Sequence, residues 1–353
     1  MGSPIYVKQL TTLFIIFITL LTSPLLAAYN SAVILQYHHV SNKTPPITSL
    51  SPEKFKQHMD YLKAEQFNIV PLPQLIENIK NKRPIKDKTI AITFDDGYLN
   101  VFENARPILK ANNWPYTVFI NSKFIDDKYS RHMSWDQLRT IAKEGATIAN
   151  HTKEHHYLVR KPKNLTQEKW QQQIADDIIH VESRIKAEIG HDYKYLAYPY
   201  GEFDVHTLAT IQKLGFIGIG QHSGAVGHHS DLTRLPRFPA SGIYANLDRL
   251  KLKLVSLNMP VEKLVSQESV LGDNPPTLTM SIKLDDIRKR QLQCFASGDR
   301  TTIAWNHENQ FSAVAPKALS KGRSRYNCTA PSKNDSKRYY WFSQPWINGD
   351  EHE

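Results

Sequence analysis

Apolar residues along this chain form short continuous runs that alternate with amphipathic stretches. The runs predict buried strands at residues 32–36, 89–94, 116–121, 146–150, 195–198 and 216–220. Apolar positions at helical spacing predict a helix opened by Ser51 and Pro52, and further helices near residues 72–80, 101–111, 134–143, 166–189 and 205–214. This alternation predicts an α/β fold with a parallel sheet, open or closed into a barrel. The active site of such a fold lies at the carboxyl ends of the strands.

The pattern changes near residue 275. Pro275 and Pro276 mark a boundary, and residues 277–284 then alternate between apolar and polar as in a strand. Further β-like runs lie near residues 294–295 and 302–305, and an aromatic run covers residues 339–342. We therefore predict a first domain over residues 29–260, a linker over 261–274 and a small β-rich domain over 275–353.

The first 28 residues have the three parts of a secretory signal peptide. Lys8 precedes an apolar run at residues 10–21, Ser23 and Pro24 interrupt it, and Ala27 and Ala28 follow. The run is short for a membrane-spanning helix, which needs about 20 residues, so cleavage is favoured over retention as an anchor. We expect a periplasmic or secreted protein that is not an integral membrane protein once the signal is cleaved.

Composition sets limits on the partners. The chain has 353 residues, of which 44 are Lys or Arg and 34 are Asp or Glu, and its net charge is +10. This excess favours an anionic partner or surface. The basic residues form no long run and accompany no motif that reads nucleic acid, so we expect no nucleic-acid partner. A hydrophobic content of 41% and a charged content of 22% exclude a disordered chain or a coiled coil.

The cysteine count adds one structural prediction. Two cysteines exclude a disulfide-rich scaffold and a four-cysteine zinc site. Cys294 and Cys328 are the only cysteines, both lie in the β-rich domain, and the export signal indicates an oxidising compartment. We therefore predict a disulfide between them.

Residues capable of chemistry follow two of the predicted strands. Asp95 and Asp96 directly follow the strand at residues 89–94. Adjacent carboxylates there are costly unless a cation or a shared proton relieves their repulsion. His151 and His155 follow the strand at residues 146–150, and their spacing lets both face one point. With 15 histidines in the chain, such a pair also arises by chance. One carboxylate with two imidazoles leaves a position open for water, as in hydrolytic metal centres.

A third motif follows another strand. Proline and glycine make a rigid loop at Tyr198-Pro199-Tyr200-Gly201, where a backbone N–H could face an oxyanion. Together with Thr93-Phe94-Asp95-Asp96-Gly97 and His151-Thr152-x-x-His155, this loop resembles the polysaccharide deacetylases, the NodB-homology group of carbohydrate esterases. The resemblance covers about residues 32–260. It implies a distorted, incomplete (β/α) barrel, followed in this chain by the small C-terminal β domain.

The resemblance also implies a role for each motif residue. Asp95 would be the general base, and the backbone of Tyr200 would help to bind the oxyanion. A divalent metal would be held by Asp96, His151 and His155. Imidazole and carboxylate ligands suit Zn²⁺, although Co²⁺, Ni²⁺ or Fe²⁺ would also fit. The implied reaction is hydrolysis of N-acetyl groups from an N-acetylglucosamine-containing polysaccharide, with release of acetate.

The opening strand refines the resemblance. Its sequence, Ile34-Leu35-Gln36-Tyr37-His38-His39-Val40, is similar to the branch that includes the poly-β-1,6-N-acetylglucosamine deacetylases, in which the motif order is circularly permuted. In that branch the general acid is a histidine of the first strand, and the matching position is His38. His39 should point to the other face of the strand. His222, after a later strand, is a rival for the acid.

The chain departs from the family pattern before the Pro-Tyr-Gly element. Many members carry an arginine there that steadies the base, whereas this chain has Lys194 and no arginine nearby. Arg237 could supply the charge from elsewhere. We group Arg237, His222 and Trp135 as substrate-binding candidates. Trp135 resembles a position that lines the groove, and a core tryptophan at a helix start is an equally good interpretation.

Three other functions fit parts of this pattern. Paired aspartates at a strand end can bind Mg²⁺ in phosphoryl-transfer proteins, but such sites rarely need two histidines. The same site could act as an O-acetyl esterase on an acetylated glycan, and nothing in the motifs excludes this. A non-catalytic glycan-binding protein is disfavoured because Asp95, Asp96, His151 and His155 are all intact.

Overall fold

The structure is a computed structural model that describes Gly2 and residues 30–349. The predicted signal peptide, residues 1–28, lies outside the described residues apart from Gly2. Within residues 30–349, no helix combines the length and the apolar character that a bilayer crossing requires.

The first part of the chain alternates strands with helices. Its strands are β1 (Ser31–Tyr37), β2 (His39–Val40), β3 (Ser49–Leu50), β4 (Asn68–Ile69), β5 (Thr89–Phe94), β6 (Thr117–Ile120), β7 (Thr147–Asn150), β8 (Tyr195–Ala197), β9 (Ile217–Ile219), β10 (Val226–Gly227) and β11 (Phe238–Pro239). Its helices are α1 (Pro52–Ala64), α2 (Leu72–Lys80), α3 (Arg106–Ala111), α4 (Ser122–Asp126), α5 (Trp135–Lys143), α6 (Gln167–Ile189), α7 (Val205–Leu214) and α8 (Leu247–Leu254). A π-helical turn, Val101–Ala105, leads into α3. Short 3₁₀ turns occupy Pro199–Gly201 and Gly242–Tyr244.

The strands form one curved, mostly parallel sheet. Its order is β10-β1-β5-β6-β7-β8-β9, with β11 added beside β1 and β4 beside β5. All of these pairs are parallel except β1 with β10. The predicted distorted (β/α) barrel is confirmed. Because β1, β5, β7 and β8 run in the same direction, their carboxyl ends lie along the same edge of the sheet.

Local sequence signals explain where the helices begin. Ser51 caps α1 and Thr166 caps α6, each accepting a hydrogen bond from a backbone N–H of the first turn. Ser134 and Gln137 form a reciprocal capping box at the start of α5. The strands β1 and β5 are buried along their whole length because the side chains on each of their two faces pack into a separate hydrophobic cluster.

The last part of the chain consists of two packed antiparallel sheets. The first sheet has the order β12-β20-β19-β15-β16, in which only β12 is added in parallel, and the second has the order β13-β14-β18-β17. The strands are β12 (Leu257–Asn258), β13 (Val261–Leu264), β14 (Thr277–Ile282), β15 (Gln293–Ala296), β16 (Asp299–Arg300), β17 (Thr302–Trp305), β18 (Gln310–Val314), β19 (Gly322–Pro331) and β20 (Tyr339–Asn348). A 3₁₀ turn lies at Lys289–Gln291. The predicted small β domain is confirmed as a fold element.

The stretch predicted as a linker is not a free connection. Strand β13 lies within residues 261–274 and pairs antiparallel with β14 through Val261 and Ile282. Strand β12, which precedes β13 in the chain, already pairs with β20 of the β unit. The β unit therefore begins near Leu257. The pattern gave no sign of it because β13 is half-exposed and too short to show an alternation.

The β unit is internally cross-linked and packs on the sheet domain. Cys294 and Cys328 lie opposite each other on β15 and β19 and form the predicted disulfide. Between the two units, Arg338 donates a 2.7 Å hydrogen bond to the Asp87 carboxylate. The aromatic run at residues 339–342 contributes to this packing through Trp341, whose ring meets Phe238 edge to face at 5.2 Å.

Candidate active site

Four strand ends bring their following residues together. His38 follows β1, Asp95 and Asp96 follow β5, His151 follows β7, and Tyr200 follows β8. Strand β6, which lies between β5 and β7, contributes a supporting residue: the Asn121 side chain donates to the backbone carbonyl of His151. The candidate catalytic residues therefore share one face because the strands that precede them are neighbours in the sheet.

The backbone at these strand ends is unusual. Asp96, His155 and Tyr200 have φ values of 70°, 60° and 59°. Non-glycine residues seldom adopt this left-handed conformation, and it costs of order 1–3 kcal/mol at each position. Such strain clusters at functional sites because the surrounding structure holds side chains where chemistry requires them.

Asp96, His151 and His155 form a compact cluster. One ligand atom from each lies within 4.8 Å of the others. The Asp96 Oδ1 atom is 3.3 Å from His151 Nε2 and 3.5 Å from His155 Nε2. Tetrahedral ligands bound at about 2.0–2.2 Å to a zinc ion lie roughly 3.4 Å apart, so the spacing fits such an ion.

The second coordination sphere supports the same interpretation. His151 Nδ1 donates a 2.8 Å hydrogen bond to the Ala197 carbonyl, which directs the lone pair of Nε2 into the cluster. That Nε2 is buried and makes no hydrogen bond of good geometry. A ring nitrogen facing a carboxylate oxygen in this way needs a cation or a proton between them. The cluster is therefore able to bind a metal ion.

The pKa values of the cluster agree with this chemistry. Burial, together with the neighbouring His151, lowers the pKa of His155 to about 4, so its imidazole is neutral near pH 7 and can act as a ligand. Burial would raise the pKa of Asp96, but the surrounding histidines outweigh it and hold the pKa far below its usual range. For His151, burial lowers the pKa, but Asp96 and Asp95 outweigh it and raise the pKa. Without a metal, a proton on His151 would take the place of the cation.

Asp95 is a fully buried carboxylate with four contacts. Arg237 donates from both terminal nitrogens, at 2.7 Å to Oδ1 and 2.8 Å to Oδ2, and Gln36 donates to Oδ2 at 2.8 Å. His38 Nε2 lies 3.8 Å from Oδ2. Burial would raise the pKa of Asp95, but Arg237, His151 and His38 lower it to about 2. Asp95 is therefore ionised throughout the neutral range.

The position of Arg237 bears on both roles expected for it, substrate binding and the supply of a positive charge near Asp95. Its side chain is 0% exposed and pairs with Asp95, a position that favours a supporting role over contact with substrate. It supplies beside Asp95 the positive charge that the family pattern places elsewhere in the sequence. Its Nε atom also donates to the Gly220 carbonyl, which fixes the guanidinium against the carboxylate. Arg237 is thus a positioning residue for Asp95.

The two histidines of the opening strand separate as the alternation of a strand predicts. The His38 side chain is 18% exposed and lines the cleft above the cluster. His39 is buried, stacks on the Tyr98 ring at 3.6 Å between ring centres, and contacts the Asn100 side chain. Burial lowers the pKa of His39 to about 4, which keeps it neutral. Only His38 therefore lies next to Asp95.

His222 and Trp135 lie outside the catalytic cluster. His222 is buried against Phe203, and burial lowers its pKa well below the usual range, which disfavours the imidazolium form that a general acid needs. Trp135 donates from its indole nitrogen to Asp126 at 2.8 Å and packs on the core at the start of α5. Neither lines the cleft around Asp96. For Trp135, the core interpretation is the one that the structure favours.

Residues that sequence reasoning did not single out complete the cleft, whose volume is about 520 Å³. Gln36 and Tyr98 line it together with the motif residues, and Tyr244, Arg323 and Arg325 line it as well. Gln36 lies two residues before His38 in the motif of the opening strand, but the strand pattern indicates no particular role for it. The two arginines come from β19 in the β unit, more than a hundred residues away, and no local signal pointed to them.

The comparisons with known proteins agree with this fold and with the Asp-His-His cluster. The sequence model of the family described as "Polysaccharide deacetylase" matches residues 82–219. The chain carries a polysaccharide deacetylase domain of the NodB-homology type and resembles the poly-β-1,6-N-acetylglucosamine deacetylase branch, as the motifs predicted.

Individual relatives agree with this assignment. The poly-β-1,6-N-acetyl-D-glucosamine N-deacetylase of Staphylococcus epidermidis is 26% identical over 231 residues, which cover 60% of this chain and 80% of that protein. The enzyme of the same name from Escherichia coli is 20% identical, and the match covers 75% of this chain but 42% of that protein. The solved structure of IcaB from Ammonifex degensii superposes with a TM-score of 0.56 and 24% identity, over 64% of this chain and 98% of that one. This structural likeness shows the shared fold.

Proposed function

We propose that this protein is a metal-dependent N-deacetylase that hydrolyses acetamido groups of an N-acetylglucosamine-containing polysaccharide and releases acetate. The observation that carries the proposal is the placement of two groups of residues in one cleft. Asp96, His151 and His155 offer ligand atoms within 4.8 Å of one another, and the Asp95–His38 pair stands beside them. This combination is what hydrolysis of an unreactive amide needs.

The protein residues divide the proton chemistry between them. Asp95, ionised and held by Arg237, removes a proton as water adds to the acetamide carbonyl. The backbone N–H of Tyr200, on its strained loop, faces the oxyanion that develops. His38 then protonates the sugar nitrogen as the carbon–nitrogen bond breaks, because an amine anion is too poor a leaving group. The 3.8 Å between His38 and Asp95 keeps proton removal and proton delivery in one place.

Asp96, His151 and His155 would hold the divalent cation. When bound, it supplies Lewis-acid chemistry, lowering the pKa of a water molecule and polarising the carbonyl. Two imidazoles and one carboxylate favour Zn²⁺, and Co²⁺, Ni²⁺ or Fe²⁺ are compatible with the same donors. The neutral His155 and ionised Asp96 are in the protonation states that a cation requires.

The substrate and the location follow from the relatives and the N-terminus. Curated relatives are named for deacetylation of poly-β-1,6-N-acetylglucosamine, and we assign that class of polymer to this chain. The chain spans less than half the length of the Escherichia coli relative, so the identity of the polymer is proposed for this chain and is not carried over from that relative. The signal-like residues 1–28 support a periplasmic or secreted enzyme that meets an extracellular polysaccharide.

The test is acetate release from a panel of acetylated glycans, with and without a chelator. The panel contains β-1,6- and β-1,4-linked N-acetylglucosamine oligomers and O-acetylated xylan. We expect acetate from an N-acetylated oligomer, loss of release after chelation, and recovery when Zn²⁺ is restored. Release from O-acetylated xylan alone would replace the proposal with esterase activity. No release from any glycan, with the metal bound, would support a non-catalytic role.

A further inference from the structure

The β unit forms part of the cleft that contains the candidate catalytic residues. Strand β19 presents Arg323 and Arg325 to this cleft, which His38 and Asp96 also line. The contact between the units is direct, because Arg323 donates a 3.1 Å hydrogen bond to the carbonyl of Tyr200. The β unit therefore does more than extend the fold: it supplies a cationic wall beside the site of reaction.

Arg325 is held in place by neutral groups. Its guanidinium donates a 2.7 Å hydrogen bond to the Tyr244 hydroxyl and approaches the Gln221 carbonyl at 3.5 Å. It is half-buried, and it takes part in no ion pair within residues 30–349. An arginine in such a position usually pairs with a carboxylate, because desolvating the charge is costly. Here the hydroxyl of Tyr244 and the carbonyl of Gln221 are neutral and leave the positive charge uncompensated.

The surroundings of Arg325 reinforce its positive charge. The Lys253 ammonium lies 5.2 Å from the centre of the Tyr244 ring, and the Arg325 guanidinium lies 5.7 Å from the same ring. Burial, then the charge of Arg325, lowers the pKa of Lys253. Two cations thus converge on one tyrosine at the edge of the cleft. The net charge of +10 makes the rest of the molecule attractive to anions as well.

We infer that Arg325 forms a subsite for an anionic unit of the glycan, next to the acetamido sugar that is deacetylated. This rests on the proposed function and names the class of polymer more closely. The planar guanidinium matches the geometry of a sugar carboxylate, and such charge-assisted pairs are about twice as strong as neutral hydrogen bonds. The same subsite disfavours a neighbouring glucosamine, whose ammonium would meet a like charge. The enzyme therefore prefers an acetamido sugar beside an acidic unit to one beside a deacetylated unit.

The test measures binding, so that it does not depend on turnover. The probes are an octasaccharide of alternating N-acetylglucosamine and glucuronic acid and a neutral N-acetylglucosamine octamer, each titrated calorimetrically into the Zn²⁺-loaded protein. We expect the acidic probe to bind about tenfold more tightly, which corresponds to about 1.4 kcal/mol. Arg325→Gln should abolish this preference, measured as the ratio of the two dissociation constants. Arg300→Gln, at an exposed site on β16, is the matched control and should keep the preference.

Each outcome decides the inference. Equal binding of the two probes to the unaltered protein would overturn it, and so would a preference that survives Arg325→Gln or is lost in Arg300→Gln. A preference that depends on Arg325, in a protein that releases no acetate from any glycan, would sustain the subsite and refute the deacetylase proposal. Release of acetate from the neutral oligomer without any preference would do the reverse.

Discussion

Asp95 shows how a single buried charge is made both stable and useful. A carboxylate with no exposure is strongly disfavoured unless its charge is compensated nearby. Arg237 and Gln36 compensate it with three hydrogen bonds at 2.7–2.8 Å, while His38 approaches the same oxygen that Gln36 contacts. Asp95 is thus held by Arg237 and Gln36 and still lies within reach of His38.

Removing the guanidinium tests this dependence. We expect Arg237→Met to lower the free energy of unfolding by about 3–5 kcal/mol, because it leaves a buried carboxylate unpaired. Urea denaturation at pH 7 measures the change, and Arg300→Met at an exposed site is the control, with no change beyond about 0.5 kcal/mol. An equal effect of the two substitutions would show that Arg237 does not compensate Asp95.

The pH dependence of stability and of kcat/KM gives a second test of the Asp95–Arg237 pair. The pKa of Asp95 is about 2 in the folded protein, below its ordinary value of 3.8, so the pair stabilises the fold above pH 3.8 and this contribution is lost as the pH falls through about 2. In Arg237→Met the guanidinium no longer opposes the effect of burial, so the pKa of Asp95 must rise. We expect the acid limb of the kcat/KM profile to move to higher pH. An unmoved acid limb would exclude Asp95 as the base.

The choice of acid can be tested with a pair of histidines. His38→Ala should lower turnover by about 10²–10⁴-fold with metal content unchanged, because the leaving amine loses its proton donor. His222→Ala is the comparison, since it lies outside the cluster and should cost little turnover in protein that is folded. Metal content and circular dichroism are measured for both. A strong loss in His222→Ala with His38→Ala near the original rate would reverse the assignment.

At the scale of elements, the loop after β8 owes its shape to close packing. Tyr200 and Gly201 have φ values of 59° and 71°, and a Cβ atom added to Gly201 would lie 2.6 Å from Cβ of Gln221. Gly201→Ala should therefore displace the Tyr200 N–H and reduce kcat while metal content is retained. Gly145→Ala is a matched control, because its φ is 97° but nothing lies within 4 Å of the added atom. Equal kcat for both variants would mean that the loop does not position the oxyanion.

Periodicity predicted the long elements and missed those without a period. The strands β1, β5 and β7 and the helices α5 and α6 lie where the apolar runs and the helical spacing of apolar residues predicted them. Strands β4, β10 and β11 have two residues each, too few for any alternation to be visible. Strand β13 was assigned to a linker because its four residues are half-exposed and its partner lies beyond Pro275 and Pro276.

The candidate site divides in the same way. Asp95, Asp96, His151 and His155 could be found from the sequence because each follows a strand whose end is defined by local pattern. Their partners depend on contacts across the chain: Arg237 meets Asp95 over a separation of 142 residues. No local property distinguishes such an arginine from one on the surface. The same holds for Arg325, whose side chain reaches the cleft only because β19 packs against the sheet domain.

At the scale of the whole molecule, residues of the β unit and of the sheet domain line one cleft. The stability of the β unit therefore affects the shape of the cleft. The Cys294–Cys328 disulfide joins β15 to β19, the strand that carries the cleft arginines. Replacing both cysteines by serine should lower the free energy of unfolding by roughly 2–4 kcal/mol, because a loop of 34 residues is no longer closed in the unfolded chain. Denaturation with and without reductant measures it. An unaltered protein insensitive to reductant would contradict a stabilising bond.

The most direct test of the account compares metal content with acetate release in three proteins. Zn²⁺ is quantified by mass spectrometry, and acetate is measured from an N-acetylglucosamine oligomer, for the unaltered chain, Asp96→Ala and Asp95→Asn. The account predicts one equivalent of metal and turnover in the first, loss of both in the second, and metal without turnover in the third. Undiminished acetate release from metal-free protein, or from Asp95→Asn, would contradict it.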